Sequence, residues 1–363
     1  MAIKEAQTHA TNNASLRKRV IYQSEALFAG GSYLQRIQSI NYSFTVPRTD
    51  VNQYGQLGQI ERVITEVPTV SMDFTYHLAG TTNETILLGD GANGASYGVM
   101  RDINRSASNH YEKTYAVALA NEGIDYLNGT AHTNKSIVIP KGHISSYSWT
   151  GAVGDVPSST VNIESTEMKV ADGGSNQSSQ NPESSSAPVV LRPGNVTFAS
   201  AAATSGGLNS TTPEDLPVMG FDNVHVQSFT VSMDVPRESI QRMGDRYEYA
   251  RVITFPIQAT MSVEAIISNQ AASNLSDIVG SESAAAPDPG FDIDINCGKS
   301  GATPAGVNGL KLRFKNAKIE GHSVSSSIGA NKSVTLDYAV QVDGGGNGYA
   351  SSDTSAGFFL AQI

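Results

Sequence analysis

The chain has 363 residues, with 24 Lys and Arg against 34 Asp and Glu, and a formal net charge of −10. At roughly 150 residues per domain, this length suggests two domains, each able to bury a hydrophobic core. Charged residues make up only 16% of the chain. An acidic chain poor in Lys and Arg excludes nucleic-acid binding through a basic face and binding to anionic membranes. The single cysteine, Cys297, excludes an intramolecular disulfide and a cysteine-cluster zinc site.

Residues 1–32 are predicted to form an N-terminal arm. The basic residues Arg17, Lys18 and Arg19 follow no apolar segment of the secretory type, and no run approaches the roughly 18 apolar residues of a membrane-spanning helix. We therefore expect a soluble protein made in a cytoplasm.

A β-hairpin with a long polar excursion comes next. Apolar residues alternate with small polar ones from Ile40 to Val46 and again from Val70 to Leu78, the period of a strand with one buried and one wet face. The excursion between them begins at Pro47 and passes Gly55, residues typical of a strand end and a turn.

Short helices are predicted over Asn83–Leu88 and Asn274–Val279. The intervening run Gly89–Gly94 matches the glycine spacing of a dinucleotide-binding loop, but no helical apolar stripe follows it. We interpret it as a glycine-rich loop, and the sequence indicates no cofactor.

The second half of the chain repeats the first. QSINYSFTVPRTDVNQYG at 38–55 matches QSFTVSMDVPRESIQRMG at 227–244 without a gap, an offset of 189 residues (227 − 38), and RVIT recurs at Arg62 and Arg251. A weaker likeness joins 142–164 to 317–337. The predicted division is a first module at 33–168, a Ser/Gly-rich insertion or linker at 169–220, a second module at 221–343 and a tail at 344–363. Within the insertion, Pro188–Ser200 is a possible strand.

Asp292, Asp294 and Asn296 imitate the start of a calcium-binding loop, but Cys297 holds the position that requires glycine. Alternation from Phe291 to Cys297 predicts a strand there, with the cysteine as a buried thiol.

The polar face of the hairpin strands carries mainly Ser, Thr and Asn, with scattered acids, where an ordinary solvent face carries Lys and Glu. Short hydroxyl side chains would leave the bore of a channel wide, and acids would repel a phosphate backbone. The alternative is a solvated sheet that is merely rich in Ser and Thr.

Three segments resemble the major tail tube proteins of tailed bacteriophages: RVIYQSEALFAGG (19–31), PRTDVNQYGQLGQIERVITEVPTVSMDFTYHL (47–78) and LRFKNAKIEGHSVSSSIGANKSVTLDYAVQV (312–342). The resemblance implies a mainly β fold with short helices, in which two tandem tube modules of β-sandwich or barrel type close into a ring-shaped β-barrel on oligomerisation. It implies a non-enzymatic subunit of trimeric, pseudo-hexameric rings, which stack into the conduit for DNA ejection.

The resemblance also implies the setting. The partners would be further copies of the chain, the tape measure protein, and tail terminator or tail-tip proteins. DNA would be met in transit without specific binding, with no membrane involved. The location would be the virion tail, assembled in the host cytoplasm.

By position, the resemblance assigns residues to two surfaces. The lumen-facing candidates are Ser39, Asn41, Ser43, Thr45, Ser71, Asp73, Thr75, Thr230, Ser232, Asp234, Thr260, Ser262 and Glu264. The ring-stacking candidates are Arg48, Asp50, Asn52, Tyr54, Gln56, Arg237, Glu238, Gln241, Arg242 and Arg246. No catalytic or metal-binding residue is predicted. The alternatives are another virion β-protein (a head decoration or tail-tip component), a carbohydrate-binding adhesin and, last, an oxidoreductase using the Gly89 loop.

Overall fold

The structure, a computed structural model, describes residues 21, 25–78, 80–88, 97–98, 112–120, 135–172, 196–202, 224–245, 247–267, 291–298, 310–329, 331–342 and 357–362. The helix among these residues is α1 (Thr82–Leu88). The strands of the first half are β1 (Glu25–Ala29), β2 (Ser32–Tyr33), β3 (Ile37–Thr45), β4 (Arg48–Val51), β5 (Glu61–Ile64), β6 (Thr69–His77), β7 (Tyr97–Gly98), β8 (Lys113–Leu119), β9 (Lys135–Ala152), β10 (Ser158–Ser165) and β11 (Lys169–Asp172).

The strands of the second half are β12 (Val196–Ala202), β13 (Val224–Asp234), β14 (Arg237–Ile240), β15 (Ala250–Ile253), β16 (Ile257–Ile267), β17 (Phe291–Cys297), β18 (Leu310–Ser325), β19 (Ser333–Val342) and β20 (Gly357–Gln362).

One antiparallel sheet, here called the polar sheet, runs through both halves. Its strand order is β3, β6, β10, β9, β13, β16, β19 and β18, so each half contributes four strands. The halves meet where residues 146–152 of β9 pair with β13, and we call this pairing the inner seam. Within the described residues the sheet is open: β3 lies at one end, residues 318–325 of β18 lie at the other, and no barrel closes.

The N-terminal parts of β9 and β18 leave the polar sheet and enter two smaller sheets. In the first half, β9 pairs there with β8 and β11, and β8 pairs with β1. In the second half, β18 pairs with β17 and β20, and β17 pairs with β12. We call these the backing sheets. The structural repeat thus extends beyond the modules defined by sequence. Strands β1, β12 and β20 belong to the backing sheets, although they lie in the segments predicted as arm, insertion and tail.

The two halves also agree in register. The pairs Ile144–Ile163 and Ile319–Tyr338 are equivalent, an offset of 175 residues (319 − 144) along β9–β10 and β18–β19. Both hairpins carry a bulge at the same place and turn at an equivalent glycine, Gly154 with φ of 89° or Gly329 with φ of 88°. Positive φ favours glycine, so both turns need the same residue type. Each position of the β9–β10 hairpin therefore has a defined counterpart in the β18–β19 hairpin.

The main hydrophobic core of the described residues lies between the polar sheet and the backing sheets, and a smaller cluster around Phe28 is separate from it. The main core includes residues of both halves, for example Phe74, Trp149, Met261 and Tyr338, all at most 1% exposed. Phe198 of β12 packs edge-on against Phe229 of β13, with ring centroids 5.6 Å apart. The core therefore joins the halves, and β12 belongs to it.

The mainly β prediction is confirmed, as are the first helix and the strand Phe291–Cys297 with its buried cysteine. Of the predicted strand within Pro188–Ser200, the part from Val196 is strand β12, and the part before it lies outside the described residues. The predicted helix Asn274–Val279 and the loop Gly89–Gly94 also lie outside them. Among the described helical residues, none forms a helix long and apolar enough to cross a membrane.

Candidate functional site

A row of hydroxyl side chains crosses the polar sheet perpendicular to its strands. Cross-strand pairs connect, in order, Ser39, Thr75, Thr160, Ser148, Ser232 and Thr260. The oxygens of Ser39 and Thr75 lie 2.6 Å apart, and those of Ser232 and Thr260 lie 2.8 Å apart. Ser148 and Ser232 are paired across the inner seam, so the row of short polar side chains continues from one half to the other.

A second row, parallel to the first, contains amides and acids. It connects Asn41, Asp73, Asn162, Ser146 and Asp234. The amide of Asn41 donates to Asp73 at 2.8 Å, and that of Asn162 donates to Ser146 Oγ at 2.6 Å. No Lys or Arg occupies a described strand position on this face between β3 and β16. The face therefore carries net negative charge.

All the lumen-facing candidates lie on this face. The intervening residues of β6, β13 and β16 point to the core, and the register sets the β3 candidates opposite those of β6. The lumen-facing candidates do not include the residues that β9, β10 and β19 contribute to this face, such as Thr150, Thr160 and Asp337. Asp337 accepts a hydrogen bond from Ser262 Oγ at 2.7 Å. The signal was present as alternation in 142–164 and 317–337. Only the strand pairing, however, shows which face those residues share.

The two ends of the polar sheet expose apolar side chains whose counterparts are buried. On β3, Tyr42 is 40% exposed and Phe44 is 61% exposed, and on β18 Val324 is 42% exposed. Their counterparts at the inner seam (Val231, Met233 and Trp149) are completely buried. The difference arises because the strands of the inner seam are paired on both sides, whereas among the described strands the end strands have a partner on one side only. An unpaired strand edge with exposed apolar residues favours association.

Two hairpins project from the polar sheet between its long strands. Arm 1 (48–64) contains β4 and β5, and arm 2 (237–253) contains β14 and β15. Both carry large apolar side chains in solvent, and the most exposed in each are Tyr54 and Leu57 of arm 1 and Met243 of arm 2. Exposed apolar side chains grouped in this way mark contact surfaces.

The ring-stacking candidates lie on these arms, apart from Arg246, which is outside the described residues. In arm 1, Arg48, Asp50, Asn52, Tyr54 and Gln56 are all exposed. In arm 2, Glu238, Gln241 and Arg242 are exposed, but Arg237 is half-buried and its Nε donates to the carbonyl of Ile144 at 3.4 Å. Arg237 therefore contacts the chain's own β9, a contact that residue spacing alone does not reveal.

A buried acid, Glu84 of α1, lies in the core of the first half. The hydroxyl of Tyr76 donates to its Oε1 at 2.8 Å and also contacts the hydroxyl of Tyr147. Burial raises the pKa of Glu84 to about 7, although the Tyr76 hydrogen bond works in the opposite direction. This group therefore couples folding to pH near neutrality.

Other residues with possible chemistry have structural partners. Asp294 is buried, and its two carboxylate oxygens each accept a hydrogen bond from Arg313 at 2.7 Å. Burial raises the pKa of the Cys297 thiol to about 12, so this cysteine stays protonated and unreactive. The part of the chain that the structure describes contains no group of three or more His, Cys, Asp or Glu residues placed to hold a metal ion.

No family model matches this chain, and no curated protein matches it. The arrangement of strands, edges and arms is therefore the basis for any functional argument.

Proposed function

We propose that this chain is a structural subunit of a phage tail tube, in which copies form rings and the rings stack into a conduit for DNA. One observation carries the proposal: both repeats build one continuous sheet with a small-residue, acidic face and two open edges. Such a sheet needs further strands at both ends, and a closed ring of copies supplies them without leaving an edge.

The chemistry of the polar face suits a conduit that DNA crosses without binding. Hydroxyl and amide side chains form hydrogen-bonded pairs such as Ser39–Thr75 and Asn41–Asp73, and the acids of this face, Asp73, Asp234 and Glu264, would repel phosphate. The face would line the lumen of a barrel formed by three copies, and the backing sheets would lie outside it. During assembly the same lumen would hold the tape measure protein, and terminator and tail-tip proteins would bind at the ends.

The arms supply a surface for stacking. Their apolar side chains, such as Leu57 and Met243, lie in solvent in the single chain. Contact between the arms of one ring and the next ring would bury these side chains.

Electron microscopy of the purified full-length chain at increasing concentration tests the proposal. We expect hollow tubes built from rings of three chains. A chain that remains monomeric at every concentration, with neither rings nor tubes, contradicts it.

Charge reversal in arm 1 separates stacking from ring formation. We expect Arg48→Glu to reduce tube yield while rings persist, because Arg48 is exposed on the arm and makes no contribution to the polar sheet. Lys169→Glu is the matched control, since it reverses an exposed cation on a backing sheet. Normal tube yield from Arg48→Glu removes this residue from the stacking surface. Arg237→Glu is less specific because it also breaks the contact with Ile144.

A carbohydrate-binding adhesin is the second candidate, favoured by Tyr247 and Tyr249, which are exposed near each other on arm 2. Aromatic side chains exposed together can stack on sugar rings. Binding to a glycan array that is lost in the double variant Tyr247→Ala, Tyr249→Ala, from a chain that forms no tubes, supports this candidate over the first.

A further inference from the structure

The inner seam shows, within one chain, how the first repeat pairs with the second. In it, Trp149 of β9 lies opposite Val231 of β13, and Tyr147 lies opposite Met233. Ser148 lies opposite Ser232 on the polar face. All four apolar side chains are completely buried. The seam therefore buries its apolar pairs in the core and keeps a polar pair on the other face.

The two repeat offsets identify which residues of the open edges are equivalent to the residues of the inner seam. Adding 175 to the β9 positions gives β18, and subtracting 189 from the β13 positions gives β3. The transferred pairs are Val324 with Tyr42, His322 with Phe44, and Ser323 with Ser43. Residues that the transfer would bury, namely Val324, Tyr42 and Phe44, are among the large apolar side chains now exposed.

The sizes of the side chains support this transfer. At the inner seam the large residue Trp149 is on the β9 strand and the small residue Val231 is opposite it. In the transferred pair the small residue Val324 is on β18 and the large residue Tyr42 is opposite. Likewise Tyr147 opposite Met233 becomes His322 opposite Phe44. Each pair joins a larger with a smaller side chain. At the inner seam the larger one is on β9, whereas in the transferred pairs it is on β3, the equivalent of β13. Close packing needs such compensation, because overpacking and cavities both destabilise.

Main-chain groups at the margins of the seam also have counterparts. Val235 N–H donates to the carbonyl of Ser145 at 2.7 Å, and Val153 N–H donates to that of Gln227 at 2.8 Å. The equivalent hydrogen bonds between two copies would join Val46 N–H to the carbonyl of Glu320 and Ile328 N–H to the carbonyl of Gln38. Ser145 and Glu320 both occupy the bulge of their hairpin. The backbone is thus shaped equally at both places.

We infer that β18 of one copy pairs antiparallel with β3 of a second copy in this register, with Val324 opposite Tyr42 and Ser323 opposite Ser43. The inference rests on the proposed function for the need to associate, and it adds which residues meet. In this arrangement Ser323 and Ser43 place polar side chains next to each other on the polar face, as Ser148 and Ser232 do at the inner seam.

Cysteine pairing tests the register on the full chain. Both Ser43 and Ser323 are exposed on the polar face, so substituting them leaves the core unchanged. Directly opposite residues on paired strands have Cα atoms about 4.5–5.5 Å apart, within the range for a disulfide. We expect the double variant S43C/S323C, oxidised after assembly, to give a ladder of covalent oligomers on a denaturing gel. In the shifted control S43C/S327C the second cysteine lies past the end of β18, roughly 13 Å further along an extended chain than Ser323, and should not cross-link. The native Cys297 is buried and does not compete.

An exchange of side-chain sizes gives an independent test. Val324→Trp alone would overpack against Tyr42, and Tyr42→Val alone would leave a cavity. We expect each to raise the protein concentration needed for assembly about tenfold or more. The double variant Tyr42→Val, Val324→Trp recreates the inner seam pair and should restore assembly.

The outcomes separate the two proposals. Absence of any rings or tubes from the unmodified chain contradicts the proposed function. If tubes form but S43C/S323C fails to cross-link, or if the double size variant assembles no better than the single variants, the register is wrong while the function stands.

Discussion

The two arms have the same sequence template but different surroundings. Arg251 of arm 2 is 8% exposed and bonds Glu164 of β10 at 3.0 Å and Glu248 at 3.1 Å. Its counterpart in arm 1, Arg62, is 65% exposed and pairs only with Asp50 in the same hairpin among the described residues. Arm 2 has the first half of the polar sheet beside it, whereas arm 1 projects beyond the last strand. A repeated motif therefore takes its structure from the neighbour that it meets.

In the proposed ring, this difference between the arms would persist. The counterpart of Glu164 is Ala339 on β19, so a second copy would not offer Arg62 this carboxylate. The counterpart of Glu248 is Gln59 in the chain's own arm 1, which is uncharged. Arm 1 would remain less firmly attached than arm 2 in a ring. In a ring of three chains, firmly attached and less attached arms would then alternate.

The largest expected difference between the two halves comes from placing an aspartate at the inner seam and at the equivalent position of the open edge, β3. We expect Val231→Asp to lower the free energy of unfolding by at least about 4 kcal/mol, because it buries an unpaired charge. The counterpart Tyr42→Asp should change the stability of the single chain by less than about 1 kcal/mol and abolish assembly. Urea unfolding followed by fluorescence of Trp149, the single tryptophan and fully buried at the seam, measures both.

Equal destabilisation by the two aspartates would show that β3 is as enclosed as β13. That result would contradict the description of β3 as an open edge.

The buried acid distinguishes the first half in its response to pH. The pKa of Glu84 is raised in the folded state to about 7 from its ordinary value of 4.5. The folded chain therefore holds a proton that the unfolded chain releases, and stability falls as pH rises from about 4.5 to about 7. The loss is about 3 kcal/mol. We expect Glu84→Gln to be more stable than the native chain by about this amount at pH 8 and similar to it at pH 4.

Urea unfolding across this pH range checks the effect. A parallel decline of the native chain and the Glu84→Gln variant would assign the pH dependence to other groups.

A smaller effect separates the arms themselves. Arg251→Ala leaves the largely buried carboxylate of Glu248 without its partner, and we expect a loss of about 2 kcal/mol. Arg62→Ala removes an exposed pair and should cost about 0.5 kcal/mol or less. Thermal unfolding of dilute protein compares the two variants. Equal shifts in Tm would mean that both arms are held in the same way.

Much of the fold could be predicted from the sequence because strands and turns depend on residues that are close together in the chain. Alternation over Val70–Leu78 specifies a strand and its buried face, and the repeated PR and RVIT segments place both arms. Long-range pairing is not local. The positions of Arg237 and Arg251 depend on β9 and β10, which are distant in sequence, and the pairing of β12 with β17 joins segments whose composition indicates only a linker and a strand.

The same limit applies to the candidate site. The polar residues of β3, β6, β13 and β16 could be assigned to one face because each strand alternates clearly. Asp337 and Thr160 could not, since their face is defined by the register with β16 and β6. The size exchange between Trp149–Val231 and Val324–Tyr42 is likewise invisible until both offsets are known.

The long strands β9 and β18 have a mechanical consequence. Each is continuous, with 18 and 16 residues, and each belongs to the polar sheet at one end and to a backing sheet at the other. A force that bends or stretches the polar sheet is therefore transmitted through covalent backbone into the second layer. The two layers must therefore deform together. A cylinder of such chains would resist kinking and bursting more than a single sheet of the same circumference.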